Sequence, residues 1–450
     1  MLLATAFSIR DKDVIAFVGG GGKTTAMFRL AAELVTQGKR VVTTTTTRIF
    51  VSQIQLAPHH ILATDDAQTL RAVRAALEQA PHVLVIGAAS QVGKAFGVKP
   101  ALIDELIALD NVDQVIVEAD GSRMRPFKAP GEHEPVVPSS ATLLAPVVGL
   151  DAVGKILNDE NIHRAELVAQ LAAAPLETPL TAEQLARVLT HPQGGLKNQP
   201  ASARVIPLLN KAETAAQQAA ALEIAAAALR HDEISAVAIG AVQRADAPIA
   251  RLETRVAAVI LAAGGSTRMR GETKQLLAWG DTTFVGNAAR IAHAARVAET
   301  VVVTGHRAEE VQRALTGTNA RSAFNPDWAS GRASSVRVGI RALRENCDAA
   351  LFINADQPFL TSAILDQISA RYAATRAPII VPTFDGQPGS PVLFARSMFD
   401  ELAALTGDVG GKTLLEKYRA QTERVPIADP RAALDLDTPE AYANARAMIS

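Results

Sequence analysis

Val256-Ala257-Ala258-Val259-Ile260-Leu261-Ala262-Ala263-Gly264-Gly265-Ser266-Thr267-Arg268-Met269-Arg270-Gly271, followed shortly by Lys274, is the stretch on which the reading of this chain turns. Its first half is a short apolar, β-branched run, the pattern of a strand buried on both faces of a parallel sheet. Its second half is a glycine-rich loop with an arginine and a lysine spaced along it. A loop at the carboxyl end of a strand can aim several backbone N–H groups at a triphosphate only where side chains do not block the approach, and Gly264 and Gly265 remove them. Arg268 and Lys274 supply positive charge to oxygens that grow more negative as phosphoryl transfer proceeds. Leu261 to Ser266, with Arg268 and Lys274, is therefore a candidate nucleotide site. A glycine-rich turn after a strand is also an ordinary strand-to-helix turn, so the loop needs support from elsewhere.

Downstream the pattern alternates: a helix from about 284 to 296, a strand at 300–303, a helix from about 308 to 315, a helix ending near 344 and a strand at 349–353. Such alternation implies a Rossmann-like α/β domain with a mostly parallel three-layer sheet and a ligand site at the strands' carboxyl ends. Asp356 lies just past a buried strand, where a carboxylate can hold Mg²⁺ against an α-phosphate. A second carboxylate is expected from Leu434-Asp435-Leu436-Asp437-Thr438-Pro439-Glu440, with Asp437 preferred over Asp435. Asp437 equally fits the cap of a helix beginning near Pro439, and the two roles are compatible.

The amino-terminal half holds a second loop of another type. Val14 to Val18 reads as a buried strand, followed at once by Gly19-Gly20-Gly21-Gly22-Lys23-Thr24-Thr25 and an amphipathic helix to about Gln37. Four glycines, Lys-Thr and a helix start make a shortened variant of a P-loop, in which Lys23 pairs with β- and γ-phosphates and Thr24 ligates Mg²⁺. Val41-Val42 runs into Thr43 to Thr47, hydroxyls that suit either a strand end or a place beside the metal. Gln114 to Val117 reads as a strand ending in Glu118-Ala119-Asp120; each acid is a candidate metal ligand, Asp120 foremost, or a turn cap.

Arg123 to Pro138 is proline-rich, charged and irregular, and His133 and Glu134 within it suit either a structural pair or an anion contact. Residues 158 to 230 are alanine-rich and helical in pattern, interrupted at Pro192 to Pro200, with a strand from Val205 to Leu209. That strand ends in Asn210-Lys211-Ala212-Glu213. In GTP-binding P-loop proteins N-K-x-D follows a late strand and its acid reads the guanine edge; here Glu213 stands in the place of Asp, and the segment equally suits a plain strand-to-helix cap. Residues 235–239 read as one more strand and 244–254 as a connector, giving domains at 1–250 and 254–450.

Composition narrows the classes. A chain of 450 residues, 48% of them hydrophobic, suits two or three domains with sizeable cores. A formal net charge of -1 argues against a nucleic-acid partner held by a basic surface. One cysteine, Cys347, allows neither a disulfide framework nor a Cys-rich zinc site within the chain. No apolar run reaches about 18 residues and the amino terminus lacks a basic signal region, so a soluble cytoplasmic protein with no membrane partner is expected.

Several motifs in order carry a resemblance. L-A-A-G-x-S-x-R-M with Lys274-Gln275-Leu276-Leu277, Thr304-Gly305-His306, Asn325-Pro326-Asp327-Trp328, Gly331-Arg332-Ala333-Ser334-Ser335-Val336, Asn354-Ala355-Asp356-Gln357-Pro358, Gly407 to Lys412 and Leu436 to Glu440 resemble the molybdenum cofactor nucleotidyltransferases, in the cytidylyltransferase branch. The resemblance implies transfer of CMP from CTP to the terminal phosphate of molybdopterin, with Mg²⁺ on Asp356 and Asp437 and with Arg268 and Lys274 on the phosphates. Guanylyl-transferring relatives carry L-A-G-G where this chain has Ala263, whose methyl group crowds a purine more than a pyrimidine. Pro388 and Ser390 depart from the Arg and His or Asn common in relatives. CMP transfer to a sugar or isoprenoid phosphate, or a nucleotide-switched cofactor-delivery chaperone, are the alternatives. In the first half, G-G-G-G-K-T-T, the threonine run, Val117-Glu118-Ala119-Asp120-Gly121-Ser122, Lys128-Ala129-Pro130 with His133-Glu134-Pro135, and Val148-Gly149-Leu150-Asp151 resemble the selenium-dependent hydroxylase accessory family, often called YqeC. That implies a P-loop protein assisting maturation of a molybdenum- or selenium-containing hydroxylase, whose apoenzyme is then an expected partner.

Overall fold

A strand whose residues are apolar on both faces has none to offer water, so it sits inside a sheet covered on both sides. Both halves are built on such a strand. The computed structural model describes residues 1–88, 93–266, 269, 272–407 and 411–448. It divides into two units, Met1–Glu253 and Thr254–Ser450.

The first unit holds β1 (Val14–Gly19), β2 (Val41–Thr45), β3 (His59–Leu62), β4 (His82–Ile86), β5 (Gln114–Glu118), β6 (Leu143–Gly149), β7 (Arg204–Val205), β8 (Leu208–Asn210), β9 (Ala236–Gly240) and β10 (Ile249–Thr254). They form one sheet in the order β10-β9-β8-β6-β1-β5-β2-β4-β3, with β7 beside β6. From β9 to β3 along that order, neighbours run parallel. Val14, Ala16 and Val18 enter the core on one face, while Ile15 and Phe17 enter the other, against Met27, Leu30 and Leu34 of α1 (Lys23–Thr36). Each of these Val, Ile, Leu, Phe and Met side chains contributes about 1.5–3 kcal/mol by leaving water.

The second unit holds β11 (Val256–Ala262), β12 (Glu299–Thr304), β13 (Arg321–Phe324), β14 (Ala349–Asn354), β15 (Ile379–Phe384), β16 (Gln387–Pro388), β17 (Val392–Ala395) and β18 (Thr422–Ile427). Their order is β13-β12-β11-β14-β17-β15-β16, with β18 beside β15. The strands β13, β12, β11 and β14 are mutually parallel, and β17 is inserted antiparallel between β14 and β15. Ala258 and Ile260 pack with Val285 and Ala289 on one face; Ala257 and Val259 pack with Val336 of α2 (Arg332–Arg341) on the other.

Two expectations are corrected. The connector at 244–254 contains a strand, β10, which joins the first sheet. The alanine-rich segment is three separate helices, Ala165–Ala172, Ala182–Thr190 and Ala215–Ala228, and the expected strand from Val205 to Leu209 is two short ones, β7 and β8. Leu143–Gly149, to which sequence reasoning assigns no element, is a central strand although it contains Pro146, whose missing N–H ordinarily confines proline to sheet edges. Among the described residues no helix is long and apolar enough to cross a membrane.

The glycine loop after β1 lies against backbone. A Cβ on Gly21, which has φ +90°, would stand 2.3 Å from Gly149 N, whereas Gly38, at φ +79°, has open space around it. Gly38→Ala carries only the cost of the left-handed backbone, about 1 kcal/mol, and Gly21→Ala adds a backbone collision, for about 3 kcal/mol or more. Thermal unfolding of the two variants is expected to show the larger loss for Gly21→Ala; equal losses would contradict this packing.

Candidate functional site

In the second unit the strand register creates the site. Leu261 of β11 pairs with Asn354 of β14, so the chain leaving β14 carries Asp356 past the loop that leaves β11. The Leu436 N–H donates to the Asp356 carbonyl at 3.1 Å, which lays Asp435 to Asp437 alongside. Thr438, not Asp437, caps the helix Pro439–Ala447, its Oγ1 accepting from the Ala441 N–H at 3.2 Å. Asp437 is thus left to the cleft. Lys274 opens a short 3-10 turn, and its backbone N–H donates to Ser266 Oγ at 2.9 Å. Ser266 Oγ donates in turn to Gln275 Oε1 at 3.1 Å, and Gln275 Nε2 donates to the Gly264 carbonyl at 3.0 Å. This clip fixes the glycine loop, and Trp328 Cζ3 lies 3.1 Å from where a Gly265 Cβ would stand.

The Lys274 ammonium lies between two carboxylates, in contact with Asp356 and 2.8 Å from Asp437 Oδ1. Burial opposes its charge, but Asp356 and Asp437 outweigh burial and hold its pKa above the ordinary lysine value. Burial raises Asp435, and the charges of Asp356 and Asp437 add to the effect. A cleft of 610 Å³ is lined by Leu261, Ala263, Gly264, Gly265, Lys274, Asp356, Asp435 and Asp437, together with Trp328, Arg332 and Ser335. Ala262 is buried and does not line it. Arg268 lies outside the described residues. Among the described residues no cluster of three or more His, Cys, Asp or Glu is arranged to hold a metal ion. Two carboxylates lining one cleft nonetheless match what Mg²⁺ takes from a protein, which is one or two carboxylates completed by substrate phosphates and water.

Sequence reasoning singled out the motifs containing Asn325, Arg332 and Asn354 without assigning them roles. Asn325 Nδ2 donates to Ser334 Oγ and Ser335 Oγ at 2.9 and 3.0 Å, anchoring the start of α2, and Arg332 hydrogen-bonds Asn354.

In the first unit the glycine loop, Gly19 to Gly22, runs from β1 into α1, and a cleft of 880 Å³ is lined by Gly21, Gly22, Lys23, Thr24, Thr25, Glu118 and residues further on. Gly20 lies against the chain at Arg125 to Phe127. Lys23, 3% exposed, donates to the Gly19 carbonyl at 2.6 Å and stands 3.3 Å from Asp120 Oδ1 and 3.6 Å from Glu118 Oε1. Burial opposes its charge, yet the two acids prevail and raise its pKa. Thr24 Oγ1 donates to Glu118 Oε2 at 2.7 Å. Asp120 is held by Lys23, by Lys128 at 3.1 Å and by the Gly19 N–H at 3.0 Å. The acid beside the Thr24 hydroxyl is therefore Glu118, and Asp120 organises the lysines.

The remaining expectations sort by their hydrogen bonds. Thr44, Thr45 and Thr46 donate to the carbonyls of Val85, Glu118 and Val136, and Thr43 bonds the His82 ring, so these hydroxyls serve the fold. Burial alone pushes His82 down to about 4. Glu134 pairs with Lys128 and Arg164; burial works against its ionisation, but these two cations hold its carboxyl at about 2. His133 is exposed. Lys128, 3% exposed within a stretch that reads as irregular loop, is the group that sequence reasoning missed, and its flanking Phe127 and Ala129, both buried, were the available signal.

Residues 15–166 match the YqeC protein family and residues 258–424 match the MobA-like NTP transferase domain. The chain is 33% identical over 230 residues to the uncharacterized protein YqeC of Escherichia coli (strain K12), a span covering 51% of this chain and 88% of that protein. It is 26% identical over 196 residues to nicotine blue oxidoreductase of Paenarthrobacter nicotinovorans, covering 41% of this chain and 93% of that one. Among solved structures, Rv0371c from Mycobacterium tuberculosis H37Rv is similar at 31% identity, over 44% of this chain and 100% of that one, with a TM-score of 0.38. The chain belongs to the YqeC family through its amino-terminal half and joins to it a nucleotidyltransferase domain of the MobA-like kind.

Proposed function

We propose that the carboxyl-terminal unit transfers CMP from CTP to the terminal phosphate of molybdopterin, releasing pyrophosphate, and that the amino-terminal unit is a P-loop nucleotide site serving maturation of a molybdenum- or selenium-containing hydroxylase. The observation that carries the transferase reading is the meeting of Lys274, Asp356 and Asp437 at the mouth of the Gly264-Gly265 loop. These groups lie far apart in sequence, and a stable fold does not require them to converge in an open cleft.

An oxygen of the acceptor phosphate attacks the α-phosphorus as the bond to the β-phosphate bridging oxygen breaks. No enzyme nucleophile is needed, since the acceptor is already an anion. Alignment and charge neutralisation are what the protein contributes. Asp356 and Asp437 would hold Mg²⁺, which when bound draws charge from the α-phosphate. Lys274, released by the carboxylates, turns its ammonium to the phosphate chain. The Gly264 and Gly265 backbone leaves room for that chain, and the Ser266–Gln275 clip keeps the loop from relaxing. Ala263, 3% exposed and lining the cleft, supports CTP over GTP because its methyl group narrows the space for a base.

Asp356→Ala is expected to lower pyrophosphate release by about a thousandfold, or roughly 4 kcal/mol in the barrier, with the thermal unfolding profile preserved; a fully active variant would refute the assignment. With wild-type protein, Mg²⁺ and molybdopterin, CTP is expected to outpace GTP. Equal rates would remove the role given to Ala263, and activity with a sugar phosphate in place of molybdopterin would reassign the acceptor.

A further inference from the structure

The amino-terminal cleft extends beyond its glycine loop to a wall that the phosphate-binding groups do not explain. Two loops leaving neighbouring parallel strands build it: Asn210-Lys211-Ala212-Glu213 after β8, and Ala241-Val242-Gln243 after β9. Asn210, 3% exposed, joins three segments through one amide. Its Nδ2 donates to the Gly21 carbonyl at 2.8 Å and its Oδ1 accepts from the Val242 N–H at 3.0 Å. Gly22 permits this approach, since a Cβ there would stand 2.5 Å from Asn210 Nδ2. The distance from phosphate loop to wall is thereby fixed in the free protein.

What the wall presents is specific. Lys211, at φ 66°, turns the chain, and its ammonium is held 2.8 Å from Asp151 Oδ2. Glu213 follows, exposed at the cleft, and its carboxylate has no hydrogen-bond or ion-pair partner among the described residues. On the other loop the Ala241 N–H is spent on the Pro248 carbonyl at 2.8 Å and the Val242 N–H on Asn210. The Gln243 N–H, next in line, has no acceptor among the described residues. The wall thus offers a double acceptor on one loop and a donor on the other.

We infer that this wall reads a guanine base, so that the amino-terminal unit is a site for guanosine triphosphate; the inference rests on the reading of Gly19 to Lys23 as the phosphate cradle. Guanine carries two adjacent donors, N1–H and the 2-amino group, and one acceptor, O6, along a single edge. The Glu213 carboxylate accepts both donors and the Gln243 N–H donates to O6. Adenine sets a lone pair at N1 against the carboxylate and an amino group against the N–H, so both contacts become repulsive. A site with paired polar groups rejects a ligand that leaves them unpaired far more strongly than an apolar pocket rejects a poor fit.

The test is equilibrium binding of radiolabelled GTP and ATP to the full chain with Mg²⁺, in the presence of excess unlabelled CTP to fill the carboxyl-terminal site. GTP is expected to bind at least about 30-fold more tightly than ATP, and Lys23→Ala is expected to abolish the binding of both. Glu213→Gln places an amide N–H opposite the 2-position, and is expected to weaken GTP while gaining xanthosine triphosphate, whose 2-oxo group accepts that bond. A gain of one ligand with loss of another cannot come from misfolding. ATP binding as tightly as GTP, with both lost in Lys23→Ala, would overturn the guanine inference and leave the phosphate cradle standing. Binding of neither nucleotide would overturn both.

Discussion

Parallel pairing is the constraint on which everything else in this chain rests. Side-by-side strands running the same way discharge their loops at one edge, and the register of the pairing decides which residues of those loops meet. In the second unit the match of Leu261 to Asn354 brings Asp356 to the Gly264-Gly265 loop. In the first, Phe17 is matched to Glu118 and Gly19 to Val147, which sets an acid on one side of the glycine loop and the turn at Gly149 on the other. The chemistry of both clefts is therefore a consequence of buried Val, Ile and Ala choosing their neighbours.

The two units reach the same electrostatic arrangement from unrelated loops. Each has a lysine beside a side-chain-poor loop, and each lysine is held by two carboxylates: Glu118 and Asp120 around Lys23, Asp356 and Asp437 around Lys274. A buried ammonium without such partners would lose its proton, and carboxylates without the ammonium would repel one another. The differences lie in access. Lys23 is almost wholly enclosed, whereas the side chain of Lys274 is 21% exposed and its partner Asp437 38% exposed.

Much of this was legible in the sequence because it is local. The strand-loop pairs at Val14 to Thr25 and Val256 to Ser266 announce themselves by apolar runs ending in glycines, and Asp356 by its place after one such run. What escaped was non-local or masked by composition. Sequence reasoning assigns no element to the central strand Leu143–Gly149, which contains Pro146, and its place between two other strands outweighs one missing N–H. Asp437 and Asp120 both read as metal ligands or turn caps with equal ease; only the fold assigns the capping to Thr438 and ties Asp120 to two lysines and the Gly19 N–H. The clip between Ser266 and Gln275 depends on two side chains facing each other across a loop, which spacing alone does not specify.

The lysine pairs also govern how a ligand is received. Because each ammonium already lies among anions, a nucleotide arriving as proposed would not meet a bare cation; it would exchange places with carboxylates that a divalent ion can take over. Ions trade partners, and little net charge is created or lost. Recognition by such a swap would select against lone anions, such as inorganic phosphate without its metal, since these would break the internal pairs and leave the carboxylates unmatched.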